Sequence, residues 1–130
     1  MFTIRTSKAN KELVSDLTKR LNLGPENVIA RLAFAYSLSG DRKMELKKIR
    51  DSGGKEYAFK VLFGENADVY IGVICTSYNL HKTDKDIPRY VKMHVDDGLD
   101  MIYREVNQKG SITGNEFLIN AIEKGIKDLE

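Results

Sequence analysis

The sequence predicts a mainly α-helical protein with small β-strands, and three observations carry that expectation. Apolar residues recur at helical spacing in long stretches, as in Leu13, Leu17 and Leu21 and again in Val91, Val95, Leu99, Ile102 and Val106. Strict apolar–polar alternation is confined to very short segments such as Phe2-Thr3-Ile4-Arg5. Helix punctuation recurs along the chain: Ser7, Gly24-Pro25, Pro88 and the box Thr113-Gly114-Asn115-Glu116. With 130 residues, 42% of them hydrophobic and 31% charged, the chain has the size and mix of one globular domain spanning 1–130.

Taken in order, Phe2 to Arg5 reads as a short strand. Ser7 then offers an N-cap oxygen to a helix whose leucines share one face, leaving Lys8, Lys11, Lys19 and Arg20 outside it. Gly24 suits the turn that ends this helix, and Pro25 suits the first position of the next. That second helix, about Pro25 to Leu38, is apolar on nearly every side, with Arg31 the only charge in its interior. Such a helix belongs in a core or an oligomer interface, and Phe34, Tyr36 and Leu38 mark it as the expected assembly surface. Residues 41–56 are strongly charged, include Gly53-Gly54, and read as a mobile surface loop. Tyr57 to Phe63 reads as a second strand, while Val69 to Tyr78 suits either a strand or a buried helix. A helix from Pro88 and a last one after Thr113, carrying Phe117, Ala121, Ile122 and Ile126, complete the chain. The domain thus divides into a basic strand-helix-helix half over 1–40, a charged loop over 41–56, and a strand with helices over 57–130.

Composition and motifs exclude several classes of function. The longest apolar run, Val69 to Cys75, is seven residues, against about twenty for a bilayer span. The N-terminus lacks a signal-peptide layout and there is a single cysteine, so a cytoplasmic location is expected. No phosphate-binding glycine loop, dinucleotide fingerprint, metalloprotease helix or nucleophile elbow occurs, so neither catalytic residues nor a cofactor are expected. His81 and His94 have no third partner at ligand spacing, so no metal site is expected, and His94 with Asp96 and Asp97 reads as a solvated or capping group. Cys75, inside the apolar run, reads as a small buried hydrophobe of low reactivity.

Charge points elsewhere. Residues 1–60 carry 13 Lys/Arg against 7 Asp/Glu, whereas residues 61–130 carry 8 against 12, within a net charge of +2. A basic half joined to an acidic half suits a polyanion on one side. The order strand, amphipathic helix, Gly-Pro turn, apolar helix is that of a ribbon-helix-helix module, in which two chains pair their strands and side chains such as Thr3 and Arg5 face a groove. The backbone amides of Glu26, Asn27 and Val28 at the turn suit a phosphate, although Glu26 competes for them.

The stretches Ile4-Arg5-Thr6-Ser7-Lys8, Leu13 to Leu17, Asn22 to Val28 and Arg31 through Ser39, with Lys60 to Glu65 and His94 to Leu99, together resemble the DndE family. This is the small E component of bacterial DNA sulfur modification, or phosphorothioation. The resemblance covers most of the chain; the 41–56 loop and the C-terminal helix match poorly. It implies a mainly helical homotetramer that binds double-stranded DNA, preferring nicked duplex. It also implies a non-enzymatic role beside a cysteine desulfurase, an iron–sulfur protein and an ATPase. It favours a helix over 67–80 and places the basic surface on Lys8, Lys11, Lys19, Arg20 and the Asn22–Gly24 turn. With the groove-facing and turn residues added, the expected DNA contacts are Arg5, Lys8, Lys11, Lys19, Arg20, Asn22, Gly24, Asn27 and Arg31. A transcriptional regulator of the ribbon-helix-helix type and a protein-docking scaffold without DNA remain the alternatives.

Overall fold

A computed structural model describes residues 2–39 and 43–108. The chain runs through β1 (Thr3–Arg5), α1 (Lys8–Leu21), α2 (Glu26–Ser39), β2 (Glu56–Ala58), α3 (Phe59–Phe63), α4 (Ala67–Tyr78) and α5 (Ile87–Gln108). Single 3-10 turns lie at Leu46–Lys48 and Gly64–Asn66. The predicted C-terminal helix lies outside the described residues.

The centre is α2 packed on α5. Gly98 makes this crossing possible: a Cβ built there would stand 1.8 Å from the Ala33 carbonyl oxygen. Around it Ile29, Ala33, Phe34, Val91, Val95, Leu99 and Ile102 are fully buried. On α1, Val14, Leu17 and Leu21 are buried as their spacing predicts. Asn22 closes that helix in the left-handed region, and Gly24 follows at φ 137°.

Ser7 occupies the N-cap of α1 without using its side chain, and its Oγ is buried without a partner. Acceptors from distant sequence do the capping. The Ser7 amide donates to Asp96 Oδ1 at 3.0 Å, and the Lys8 amide donates to Asp51 Oδ2 at 2.9 Å. Asp96 is itself buried beside Lys92, whose ammonium donates to Asp96 Oδ2 and to the Asp51 carbonyl.

Four expectations need correction. Tyr57 to Phe63 is not one strand: β2 stops at Ala58, and Phe59, Leu62 and Phe63 turn inward at helical spacing as α3. Within the chain β1 pairs antiparallel with β2, with Ile4 opposite Tyr57, so the intermolecular strand pairing of a ribbon-helix-helix module is not what occupies this edge. Phe34 is no assembly surface, being wholly buried against Phe63, Tyr70 and His94. Among the described residues the exposed large apolar side chains are Phe2, Val61, Val69 and Val73. Finally, segment 43–55 is a loop, as expected, but one tied down through Met44, Arg50, Asp51 and Gly54. The ambiguous stretch 69–78 is helical within α4, where Cys75 is half-buried against the core.

Candidate nucleic-acid interface

The nine expected contact residues separate into two groups. Lys8, Lys11 and Lys19 are exposed on α1 and form no ion pair among the described residues. At the helical repeat they fall within about 80° of one another, with Asn22 in line, over a rise of roughly 16 Å. Glu12 shares this face. Exposed Asn22 and Gly24 lie at its C-terminal end, beside the start of α2. There the Glu26 carboxylate reaches Lys55 at 3.4 Å rather than its own helix amides, removing the competition expected from the sequence.

The other four are engaged within the chain. Arg5 pairs with Glu56 across the β ladder at 3.6 Å, and both side chains are about half exposed. Arg20 donates to Asn107 Oδ1 at 2.8 Å and lies 3.5 Å from Asp16. Arg31 donates to the carbonyls of Leu62 (2.6 Å) and Val61 (3.3 Å), and Asn27 donates to that of Val61 (3.1 Å). These two residues of α2 satisfy backbone carbonyls of α3 that a five-residue helix leaves without internal donors. Arg31, the one charge in the interior of an apolar helix, is thus engaged in capping.

Of the three polar residues of α5 expected to be solvated or capping, Asp96 caps the start of α1 from a buried position, Asp97 is half-buried, and His94 lies inside. His94 is fully buried. Ser37 donates its one hydroxyl proton to Asp97 Oδ2 at 2.6 Å, so toward His94 Nδ1, 2.9 Å away, it accepts. That places the ring proton on Nδ1 and leaves Nε2 to accept from the Tyr78 hydroxyl at 2.6 Å. The Tyr78 oxygen accepts in turn from the Met44 amide at 2.9 Å. Ser, His and Asp are therefore together, but not as a nucleophile relay: the carboxylate orients the serine rather than the imidazole, and Ser37 has no exposure. Spacing gave no sign of this cluster, because Ser37, Tyr78 and His94 come from three helices.

Two carboxylates beside this region shift in opposite directions. Asp51 is held below the ordinary range because the Lys8 and Gly53 amides donate to it. Burial raises Asp100, against the opposing pull of Arg50 at 2.6 Å. Among the described residues no group of three or more His, Cys, Asp or Glu is placed to hold a metal ion. No described helix is long and apolar enough to cross a membrane.

Fold and site together define a small helical protein that offers a cationic helix face. The family model described as DNA sulphur modification protein DndE matches residues 3–110, and the chain belongs to that family. It is also similar in fold to DndE from Escherichia coli B7A, described as involved in DNA phosphorothioation modification. The TM-score is 0.63 at 20% identity, covering 77% of this chain and 95% of that one. A glycine-to-lysine double mutant of DndE, described as involved in DNA phosphorothioation, gives a TM-score of 0.64 at the same identity and coverage. No curated sequence relative matches the chain.

Proposed function

We propose that this chain is a non-enzymatic accessory protein of DNA phosphorothioation that binds double-stranded DNA through its phosphates. The observation that carries the reading is the face of α1 bearing Lys8, Lys11 and Lys19, all exposed and none drawn into an ion pair among the described residues. Membership of a DNA sulfur-modification family supplies the polyanion. A helix face of lysines has no planar fork with which to read base edges, so recognition follows backbone and shape. A nick lowers the cost of bending the duplex, which favours nicked DNA for a protein that distorts it. Assembly as a homotetramer belongs to the same proposal. Among the described residues Phe2, Val61, Val69 and Val73 are the exposed large apolar side chains available for it, and the other proteins of the modification system are its working partners.

The test is a titration of nicked, intact and single-stranded DNA at several salt concentrations. Three phosphate contacts account for a slope of about 2.7 in log K against log salt. The Lys8→Ala, Lys11→Ala, Lys19→Ala variant is expected to lose that much slope while unfolding at the wild-type urea midpoint. Equal, negligible binding of all three DNAs by the wild-type chain, or an unchanged slope in the variant, refutes the reading.

A further inference from the structure

We propose that segment 43–50 is a releasable cationic strap, closed in this structure over the carboxylates of α5 and able to open so that its cations join the α1 lysines on a polyanion. The inference rests on the DNA-binding reading above. Four of these eight residues are cationic, Lys43, Lys47, Lys48 and Arg50, against a single Glu45. Yet none of the eight is fully buried, and the only regular structure among them is one 3-10 turn.

Among the described residues two polar contacts close the strap. At one end the Met44 amide donates to the Tyr78 hydroxyl (2.9 Å); at the other Arg50 meets Asp100 at 2.6 Å, with both side chains more than a third exposed. Between strap and helix lies a cavity of about 80 Å³, lined by Met44, Lys48 and Arg50 above and by Met93, Asp97 and Asp100 below. That space exceeds what one water needs, so the strap, which touches α5 through the turn at Leu46–Lys48, is packed onto it only in part. Exposed ion pairs contribute little, so a phosphate replaces Asp100 as the partner of Arg50 at small cost.

The anchor determines where an opened strap goes. Asp51, the next residue, is fixed by Lys92 through its carbonyl and by the Lys8 and Gly53 amides through its carboxylate. The strap therefore pivots beside Lys8, the first lysine of the α1 face. Three residues of extended chain put Lys48 within about 10 Å of that pivot. Opening lengthens the cationic face and removes its cations from a field of three carboxylates, Asp96, Asp97 and Asp100.

Amide exchange of the full chain, alone and saturated with a nicked duplex of 25 base pairs, tests the strap. The amides of Met44, Lys48 and Ile49, which donate to Tyr78, Glu45 and Leu46, are expected to lose protection when DNA binds. Two variants open it without DNA: Tyr78→Phe, which changes no charge, and Asp100→Asn. Each is expected to exchange faster over 43–50 and to bind the duplex about two- to fivefold more tightly, the range an exposed pair allows. Asp68→Asn removes one exposed carboxylate from α4, unpaired among the described residues, and supplies the charge-matched control for Asp100→Asn. A strap as protected on DNA as off it, or variants with the affinity of their references, overturns the strap alone. A wild-type chain that binds no duplex overturns the parent reading and the strap with it.

Discussion

Replacing Gly98 by alanine tests the contact on which the α2–α5 core depends. The new methyl would lie 1.8 Å from the Ala33 carbonyl oxygen, 2.4 Å from its carbon and 2.8 Å from its Cα, where ordinary contact begins at 3.4 Å. The obstacle is backbone, so no rotamer change relieves it; the two helices must separate by well over an ångström. Separation loosens Ile29, Phe34, Val95, Leu99 and Ile102 together, all of them without exposure. Overpacking against side chains costs about 1–3 kcal/mol, and a rigid neighbour puts this case at or above the upper end. Alanine recovers about 1 kcal/mol of helix propensity, so the expected net loss is about 2–3 kcal/mol. Gly72→Ala is the internal control: it adds the same methyl to α4, where nothing lies within 4 Å. That variant is expected to gain about 0.5–1 kcal/mol from propensity. Urea unfolding followed by circular dichroism measures both. A Gly98→Ala protein within about 1 kcal/mol of wild type would refute the close approach of the two helices.

Two further outcomes follow from the site. Arg31→Ala removes two bonds to the last carbonyls of α3 and is expected to cost about 1.5–3 kcal/mol in urea melts with DNA affinity and salt slope unchanged; a fall in slope at constant stability would return Arg31 to the binding surface. Asp51 is shifted down in the folded state, so the stability it contributes is present above its unfolded value of about 3.9 and is lost as pH falls through the lower folded value. The urea midpoints of wild type and Asp51→Asn should therefore differ by a constant amount from pH 7 to about 4 and converge below it; a gap that widens on acidification contradicts the capping role.

Local signals fixed the helices that bury one face. The leucines of α1, the Gly24-Pro25 turn and the run from Val91 to Val106 were all legible, because period and punctuation lie within a few residues of each other. Segment 57–63 was misread although Phe59, Leu62 and Phe63 already stand at helical spacing; aromatic and β-branched content outweighed period. Its two strand residues, Tyr57 and Ala58, are set by pairing with Ile4 and Thr3, more than fifty positions away. The same distance explains the site. Lys8, Lys11 and Lys19 were readable because exposure on an amphipathic helix is a local property. The intrachain partners of Arg5, Arg20, Asn27 and Arg31 were not, because Glu56, Asn107, Val61 and Leu62 are brought to them only by folding. The buried contacts of His94 and Asp97, read from sequence as a solvated or capping group, depend on Ser37 and Tyr78 from other helices.

The α2–α5 crossing also sets an order of events while the chain is being made. All but one of the residues of α2 have been joined by position 38, yet the helix that covers Phe34 and Ala33 ends at Gln108. At 5–20 residues per second, close to seventy further residues keep that surface waiting for about 3–14 s. The start of α1 waits too, since its first amides are capped by Asp51 and Asp96. Nothing upstream is finished early: although α1, Phe63 and Tyr70 cover part of it, a growing chain carries an apolar helix without its main packing partner until nearly its whole family-matched length has been translated. The last described helix thus acts as the clasp of the molecule, and a ribosome that stops short of it leaves behind a sticky fragment for chaperones or proteases rather than a smaller working domain.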